Sequence, residues 1–312
     1  MIHGIINVYK EKGFTSHDVV AKLRGITGQR KIGHTGTLDP DAEGVLPVCL
    51  GRGTKVCGLL TEKNKEYEAV LLLGIETDTQ DITGSVLHNR STEGLTESRV
   101  REAIRSFEGD YDQIPPMYSA LKVGGKKLCD LAREGKTVER KSRRIRIFEI
   151  EILELSIPRV RIRVSCSKGT YIRTLCHDIG QALGCGGCME SLVRTQVADF
   201  MLQEAHRIAE IEAWVKRARE QAIQTELRRE DLLGLVANTD SVFTQYPEVS
   251  VKEEFSRLLY NGNPLLEEWA KGWKAEYRDL AVRVYDSRQA FIGIYHWEEK
   301  IQKIKPVKIF ME

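Results

Sequence analysis

Residues 33–44 hold most of the side chains in this chain that are suited to chemistry. The segment reads GHTGTLDPDAEG, with three glycines, a proline, a histidine and three carboxylates in twelve residues. Glycine and proline impose backbone angles that interrupt a regular helix or strand, so the composition predicts a shaped loop. The apolar run 45–50 follows directly, and a loop next to a rigid strand can hold a reactive group in place. Asp39 is the first candidate for that group.

The chemistry open to Asp39 depends on its neighbours. Alone, a loop aspartate is more commonly a cap or turn residue than a catalyst. Beside an arginine in a partly dry pocket, its pKa falls by about one to three units, and the ionised carboxylate is then a nucleophile or a base. Tyr67 on a predicted strand and Arg173 at a predicted helix start are available as partners. The alternative is a sugar hydrolase, which needs a second carboxylate about 5–10 Å away; Asp41 and Glu43 are the local candidates.

The elements that must position these residues follow from the spacing of apolar side chains. Alternating or continuous apolar runs predict strands, and segment 65–74 has the pattern of a central strand. The predicted strands are 4–10, 45–50, 65–74, 144–152, 159–166, 249–251, 280–285, 290–295 and 307–310. Helical spacing and capping residues predict helices after Thr15 and at 96–107, 171–183 and 203–229. The order indicates an α+β fold that ends in a small β-rich domain.

A basic stretch lies between the predicted loop and the second half of the chain. Residues 122–146 contain ten Lys or Arg against three acids, whereas the whole chain has a net charge of only +2. A local excess of this kind is typical of a surface that binds a polyanion. The ordinary alternative is a solvated face, the commoner fate of a charge run.

Composition sets wider limits. A chain of 312 residues, 41% apolar and 29% charged, is typical of a globular protein with about two domains. We expect no secretory leader and no membrane segment, because no apolar run approaches the roughly 20 residues that span a bilayer. Seven cysteines, an odd number, indicate free thiols in a reducing cytosol.

Four residues raise the question of a zinc site: Cys176, His177, Cys185 and Cys188. A structural zinc site generally uses two separated ligand pairs in a tetrahedron. Cys176 and His177 are adjacent on a predicted helix, where neighbouring side chains point apart. We therefore predict buried thiols and no metal.

Several motifs resemble one family in the order in which they occur. Residues 33–47, GHTGTLDPDAEGVLP, look like the catalytic motif of the TruB family of tRNA pseudouridine-55 synthases. Further resembling segments are Lys65-Glu-Tyr67, Ser167-Lys-Gly-Thr-Tyr-Ile-Arg173, Lys10-Glu-Lys-Gly13, Ile114-Pro-Pro-Met-Tyr-Ser-Ala-Leu-Lys122 and Ser191-Leu-Val-Arg194. Segments 261–264 and 291–294 resemble the family's PUA-like terminal domain. One departure is Glu11, where the family usually has proline.

The resemblance implies the role of each site residue. Asp39 is the catalytic aspartate, Arg173 its ion-pair partner, and Tyr67 a ring that stacks on the target uracil. The implied substrate-binding residues are His34 and Leu192 near the base, Lys10 in the first motif, and Lys122, Lys126 and Lys127 in an RNA-gripping insertion.

The resemblance also implies the reaction and the organisation of the chain. The reaction is isomerisation of uridine 55 in the T loop of tRNA, by base flipping and by breaking and re-forming the glycosidic bond, without metal or organic cofactor. Attack at C6 of the base, attack at C1′ of the ribose and elimination at C2′ all stay open for Asp39. The implied fold is a pseudouridine synthase fold, a mixed and largely antiparallel sheet flanked by helices. We expect a catalytic domain at 1–232 with the insertion at about 115–146, and a PUA-like RNA-binding domain at 240–312.

The expected partner is the T arm of tRNA, bound by a monomer in the cytoplasm. A protein that binds RNA without modifying it is the competing class.

Overall fold

Two β-sheets organise the molecule. A computed structural model describes residues 1–221 and 230–311, and within them lie eighteen strands and seven α-helices. The strands are β1 Gly4–Lys10, β2 Ile32–His34, β3 Glu43–Leu50, β4 Lys65–Leu73, β5 Ile75–Thr77, β6 Val86–Asn89, β7 Gly109–Gln113, β8 Lys122–Val123, β9 Lys126–Lys127, β10 Arg143–Ser156, β11 Arg159–Cys166, β12 Gly187–Val197, β13 Phe200–Met201, β14 Glu248–Val251, β15 Ala270–Lys271, β16 Ala281–Tyr285, β17 Phe291–Glu298 and β18 Lys303–Ile309. The helices are α1 Ser16–Thr27, α2 Cys57–Thr61, α3 Glu97–Arg105, α4 Leu128–Arg133, α5 Ile172–Leu183, α6 Ile208–Gln221 and α7 Ser256–Tyr260.

The first sheet has the order β1-β3-β12-β4-β11-β10-β7, with β2 beside β3 and β13 beside β12. Its neighbouring strands are antiparallel except for the parallel pair β3 and β12. β4 lies in the middle and buries Lys65, Tyr67 and Ala69 on one face, which confirms the prediction of a central strand. The predicted pairing of segments 144–152 and 159–166 is also confirmed, because β10 and β11 are antiparallel neighbours.

Helices cover this sheet and hold the site residues in place. An apolar cluster of sheet residues with α3 and α5 includes Leu38, Tyr67 and Leu192. A second cluster packs α1 and α6 against β1 and β3. The N-terminus of α1 is fixed by a capping box, in which Thr15 and Asp18 bond to each other's backbone amides.

The loop predicted at 33–44 is shorter than expected. Gly33 and His34 belong to β2 and pair with Cys49 and Val48, while Glu43 and Gly44 begin β3. The irregular part is residues 35–42. Strands extend into the predicted loop because its first residues pair with β3 and its last residues pair with β1 and β12, which satisfies their backbone groups.

Two other predicted boundaries are corrected. The insertion predicted at about 115–146 overlaps the strand predicted at 144–152, and in the structure residues 143–146 belong to β10 and pair with β7. The alternating Arg and Ile residues there continue the sheet instead of the insertion. The helix predicted at 203–229 is observed as α6 only at Ile208–Gln221. Its predicted last eight residues lie outside the described part of the chain.

The second sheet, in the order β15-β14-β16-β17-β18, confirms the β-rich terminal domain. An apolar cluster that includes Phe243, Ile294 and Phe310 joins it to Ile5 and Cys49 of the first sheet. The Lys55 ammonium also donates to the backbone carbonyls of Ile309 and Met311, at 3.1 and 2.9 Å. In residues 1–221 and 230–311, no helix is long and apolar enough to cross a membrane.

Candidate active site

An ion pair between Asp39 and Arg173 lies at the centre of the site. Asp39 is in the loop 35–42, and its Oδ2 lies 3.1 Å from Nε of Arg173, the second residue of α5. The loop is anchored on both sides of Asp39. The amide of Leu38 donates to Oγ of Ser16 at 2.9 Å, and the Pro40 carbonyl accepts from the amide of Gly13 at 2.9 Å. The structure thus brings together the two residues that the sequence predicted as partners.

Arg173 is buried and bonded on several sides. Only 7% of its side-chain surface is accessible. Its guanidinium donates to Oδ2 of Asp81 at 3.2 Å, to the carbonyl of Tyr118 at 2.9 Å and to the carbonyl of Thr79 at 3.4 Å. A guanidinium held this firmly presents a fixed positive charge to Asp39.

Asp81 is a second carboxylate at the site that sequence analysis missed. It lies between β5 and β6, where its Oδ1 accepts hydrogen bonds from the hydroxyls of Thr79 and Thr83 and from the amide of Thr83, while Oδ2 faces Arg173. Residues 78–84, DTQDITG, have the composition of a turn, and nothing in that pattern marks Asp81 as a site residue. Of the candidates from the hydrolase alternative, Asp41 is exposed and Glu43 accepts a hydrogen bond from the Tyr9 hydroxyl at 3.2 Å.

The electrostatics of Asp39 correct the predicted direction of its pKa. Although 42% of its side-chain surface is accessible, desolvation by the surrounding protein raises the pKa of Asp39 above its usual value. The Arg173 guanidinium opposes this rise, and the charges of Asp81 and Asp41 add to it. Sequence analysis considered only the arginine. A desolvated carboxylate that is kept ionised by an ion pair is more basic than a free one, which suits a base or a nucleophile.

Tyr67 and Arg194 form the floor of the site behind the loop. They are cross-strand partners on β4 and β12, and both are buried. Burial raises the pKa of the Tyr67 phenol, while the charge of Arg194 and a hydrogen bond with it lower that pKa. Arg194 also donates through Nε to the Val45 carbonyl at 2.7 Å and through Nη2 to the Gly36 carbonyl at 3.4 Å.

Arg194 belongs to the segment 191–194 that resembles the family, but the resemblance gives it no role. Its spacing from Leu192 is the signal that could have found it, because residues two apart in a strand share a face, and both are buried in β12. An arginine on the buried face of a strand is uncommon unless other groups in the protein bond its guanidinium.

His34 ends β2 and begins the loop. Its ring packs edge-on against His17 at a centroid distance of 5.1 Å, and its Nδ1 accepts from the amide of Gly36 at 3.3 Å. Burial lowers the pKa of His34, and the charge of His17 lowers it further. His34 is partly exposed, so one part of it supports the loop while another part faces solvent.

Lys10 and Leu192 are both buried. Leu192 contributes to the same apolar cluster as Tyr67 and Leu38. Lys10 has no accessible surface, and its ammonium donates to the carbonyls of Glu11 and Pro40, each at 3.1 Å. Its predicted contact with substrate is therefore revised to an indirect role, in which Lys10 supports the loop one residue beyond Asp39.

Lys10 leads to a pH-dependent prediction. Burial lowers the pKa of Lys10 to about 8. Its ammonium is present below that pH and is lost above it, so activity should fall as pH rises through about 8. Lys10→Arg keeps its charge throughout this range, and its normalised pH–rate profile should lack this fall. Lys65→Arg is the matched control, because burial also lowers the pKa of Lys65 to about 8; this variant should retain the fall. Identical profiles for the Lys10 variant and the parent would remove Lys10 from the loop's support.

The predicted RNA-gripping residues lie on a small hairpin. Lys122 on β8 pairs with Lys127 on β9, Lys126 lies next to it, and all three are exposed. The base of the insertion reaches the reaction centre, since the carbonyl of Tyr118 is bonded to Arg173. The segment that leads into the hairpin is thus bonded to Arg173 four residues before β8.

Metal ligation has no support among residues 1–221 and 230–311, where no group of three or more His, Cys, Asp and Glu side chains is arranged to hold an ion. All seven cysteines lie within the described residues and are free thiols, with Cys176, Cys185 and Cys188 buried. This confirms the prediction of buried thiols at 176, 185 and 188.

Two family models match the chain. The model described as "TruB family pseudouridylate synthase (N terminal domain)" matches residues 24–172, and that of "tRNA pseudouridylate synthase B C-terminal domain" matches residues 173–236. The second match includes β12, a strand of the first sheet, and nearly all of α5, which packs against that sheet.

Curated relatives match over the full length. The chain is 54% identical to tRNA pseudouridine synthase B of Lachnoclostridium phytofermentans, with 99% of this chain and 100% of that protein covered. It is 42% identical to the protein of the same name from Alkaliphilus oremlandii, with 100% and 99% covered.

Solved structures share the fold. A chain from an H/ACA RNP bound to a substrate RNA containing 2′-deoxyuridine superposes with a TM-score of 0.72 at 25% identity, covering 99% of this chain and 86% of that one. A chain from a Cbf5-Nop10-Gar1 complex gives a TM-score of 0.72 at 27% identity, covering 99% and 85%.

Proposed function

The chain belongs to the TruB family of pseudouridine synthases, enzymes that isomerise uridine to pseudouridine in tRNA, and on that premise we propose that its target is uridine 55 in the T loop. The observation that carries the proposal is the Asp39–Arg173 ion pair, held beside Tyr67 in a loop that is partly open to solvent. The motifs around these three residues are the ones that resemble synthases acting at this position.

Base flipping brings the uridine to Asp39 in this proposal. A base inside a stacked loop cannot meet a carboxylate on a protein surface, and flipping it out costs a few kcal/mol. His34 stands at the loop entrance, where its ring can take the place of the extruded base. Tyr67 and Leu192, both in the apolar cluster behind the loop, supply a flat and a rounded wall for the uracil.

Asp39 starts the exchange of bonds. The N1–C1′ bond breaks and a C5–C1′ bond forms, while C5 loses a proton and N1 gains one, so the product is an isomer of the substrate. Attack at C6, attack at C1′ and removal of the C2′ proton are the three starts that a basic carboxylate can make. Arg173 holds that carboxylate ionised and in place for each of them.

The hairpin of β8 and β9 grips the RNA backbone in this proposal. Phosphate contacts supply position and affinity, and a basic hairpin fastened to the ion pair places the T arm over the site. Lys122 and Lys127 form no ion pair with any residue in the described parts of the chain, so their ammonium groups are available to phosphates.

Replacing Lys122 and Lys127 by glutamine should weaken tRNA binding and reduce its dependence on salt. Each lost phosphate contact lowers the slope of log K against log salt by about 0.7–0.9, so the slope should fall by about one to two. Binding is measured over a series of salt concentrations. The matched control is Arg159→Gln with Arg161→Gln, which removes two cations already paired with Glu190 and Glu68 on the sheet. Equal slopes in the two double variants would mean that the hairpin is only a solvated face.

The direct test is incubation with an unmodified tRNA transcript in the presence of a metal chelator, followed by mapping of pseudouridine at single-nucleotide resolution. The expected product has one pseudouridine, at position 55, and a transcript with cytidine there should stay unmodified. Modification at another position would contradict the T-loop assignment, and binding without modification would support the non-catalytic alternative.

We also propose where the enzyme acts and in what form. The free thiols fit a reducing compartment, and we place the activity in the cytoplasm, in a monomer.

A further inference from the structure

Arg194 is a buried cation with no buried anion to balance it. It has 1% accessible surface, and in the described parts of the chain no carboxylate forms an ion pair with it. Burying an unpaired charge is unfavourable, and buried arginines in proteins are generally paired with a carboxylate. A cation kept in this position has a role other than simple packing.

The contacts of Arg194 reach three separate parts of the site. Its Nε donates to Val45, just after the loop, and its Nη2 donates to Gly36, near the start of the loop. Tyr67 lies opposite on the neighbouring strand. One side chain therefore joins both ends of the segment that carries Asp39 to the tyrosine behind it.

Two glycines of the segment 33–44 lie next to Arg194. Gly44 is the parallel partner of Arg194, has a φ of +105°, and a β-carbon there would lie 2.2 Å from the Arg194 carbonyl oxygen. Gly36 has a φ of +144°, and a β-carbon there would lie 3.7 Å from Nη1 of Arg194. The approach at Gly44 is to the backbone of β12, so only glycine fits there whatever side chain stands at 194, whereas Gly36 is in ordinary van der Waals contact with the guanidinium.

We propose that Arg194 is a positioning residue for the isomerisation, which closes the Asp39 loop against the sheet and holds the Tyr67 hydroxyl beside a fixed positive charge. The inference rests on the proposed function. Arg173 orients the carboxylate from the side of α5, whereas Arg194 orients the loop and the tyrosine from the side of β12. Any step in which Tyr67 accepts or shares a proton depends on that charge, because a neighbouring cation favours the phenolate.

The test is a double-mutant cycle between Arg194→Met and Tyr67→Phe, read by single-turnover rates at saturating enzyme and by tRNA affinity. Arg194→Met should lower the rate about 100-fold and change tRNA affinity less than about threefold, because Arg194 lies under the site. In the Tyr67→Phe background the same change should cost at least about fivefold less, since coupled residues are not additive. Arg194→Lys, which keeps the charge but not the fork of donors, should fall between the parent and Arg194→Met.

Stability is measured on the same variants. Arg194→Met removes a buried charge and leaves no carboxylate unpaired, so it should fold; if it does not, the cycle is run with Arg194→Lys. The control is Arg283→Met in the second sheet, where Arg283 also bonds a carbonyl, that of Tyr246, and a tyrosine hydroxyl, that of Tyr285, and in addition lies 3.8 Å from Glu248. At saturating enzyme this control should keep the parent rate.

The outcomes separate this inference from the proposed function. Parent enzyme that makes no pseudouridine at position 55 overturns the proposed function. Active parent enzyme with an unchanged rate in Arg194→Met overturns the role of Arg194. Losses that are additive with Tyr67→Phe, or that appear mainly as weaker tRNA binding, also overturn it, because a merely structural arginine would act in that way.

Discussion

Replacing Asp39 by asparagine will abolish pseudouridine formation while the enzyme keeps its affinity for tRNA. Asparagine has the same shape as aspartate but lacks the basic carboxylate, so it can neither attack the substrate nor remove a proton. Loss of a nucleophile or base that acts directly on the substrate lowers the rate by at least about 10⁴-fold. The measurement is the single-turnover rate on an unmodified transcript, together with a binding titration of the same variant.

A control in the same loop sharpens this test. Asp41→Asn removes an equal charge two residues away from an exposed side chain, and it should leave the rate within about threefold of the parent, as is usual for an exposed substitution. Arg173 keeps its ion pair with Asp81 in the Asp39 variant, so the fold should survive. Residual activity within about tenfold of the parent would exclude Asp39 as the catalytic group.

The ion pair itself was open to sequence reasoning, but its surroundings were not. Asp39 and Arg173 lie in motifs whose order resembles a known family, so their meeting could be predicted. Asp81 reaches Arg173 from 92 residues away and Arg194 reaches Val45 from 149 residues away. Contacts of that separation depend on which strands become neighbours, and the spacing of residues in one segment does not contain this information.

Burial explains two features that the sequence did not predict, the raised pKa of Asp39 and the inward direction of the Lys10 ammonium. The expected fall in the pKa of Asp39 counted the arginine but not the desolvation, which is the larger effect. Lys10 was expected to contact substrate because the motif matched, yet its ammonium turns inward to the carbonyls of Glu11 and Pro40. The type and position of a charged residue are visible in a sequence, whereas the direction of its side chain is set by packing.

The β-strands were predictable because their signal is local. Alternating residues in 144–152 and 159–166 specify one buried face for each strand, and two such strands pair to cover it. At 144–146 the predicted insertion overlaps the predicted strand 144–152, and the strand pattern holds there because Ile145 and Ile147 lie on the inward face of β10.

In the resulting site, one cation pairs with the Asp39 carboxylate and two others bond the backbone of its loop and of the strand that follows. Arg173 pairs with Asp39 directly, and Lys10 and Arg194 hold the loop from beneath through backbone carbonyls. Burial lowers the pKa of Lys10, and the charges of Glu43, Asp39 and Asp41 oppose this fall. Preorganised charges of this kind stabilise a developing negative charge without rearrangement during the reaction.

Replacing Arg173 by methionine should lower the rate about 100- to 1,000-fold and shift the acid limb of the pH–rate profile to higher pH. Arg173 lowers the pKa of Asp39, and Asp81 raises it. Without the arginine that pKa rises, and the carboxylate becomes protonated at a higher pH than in the parent. The variant should also lose about 3–5 kcal/mol of stability, because two carboxylates are left at the site without their shared cation. Single-turnover rates across the acid range and thermal melting give the two readouts.

Adding Asp81→Asn to Arg173→Met should reverse part of both effects. With one carboxylate neutralised, the repulsion that raises the pKa of Asp39 is removed, so the acid limb should move back towards lower pH and the melting temperature should rise relative to Arg173→Met. Asp81→Asn alone, in which Arg173 still pairs with Asp39, is the matched control and should keep most of the activity. If the acid limb of Arg173→Met coincides with that of the parent, Arg173 does not set the ionisation of Asp39. If the double variant is no better than Arg173→Met, the two carboxylates are not coupled through this arginine.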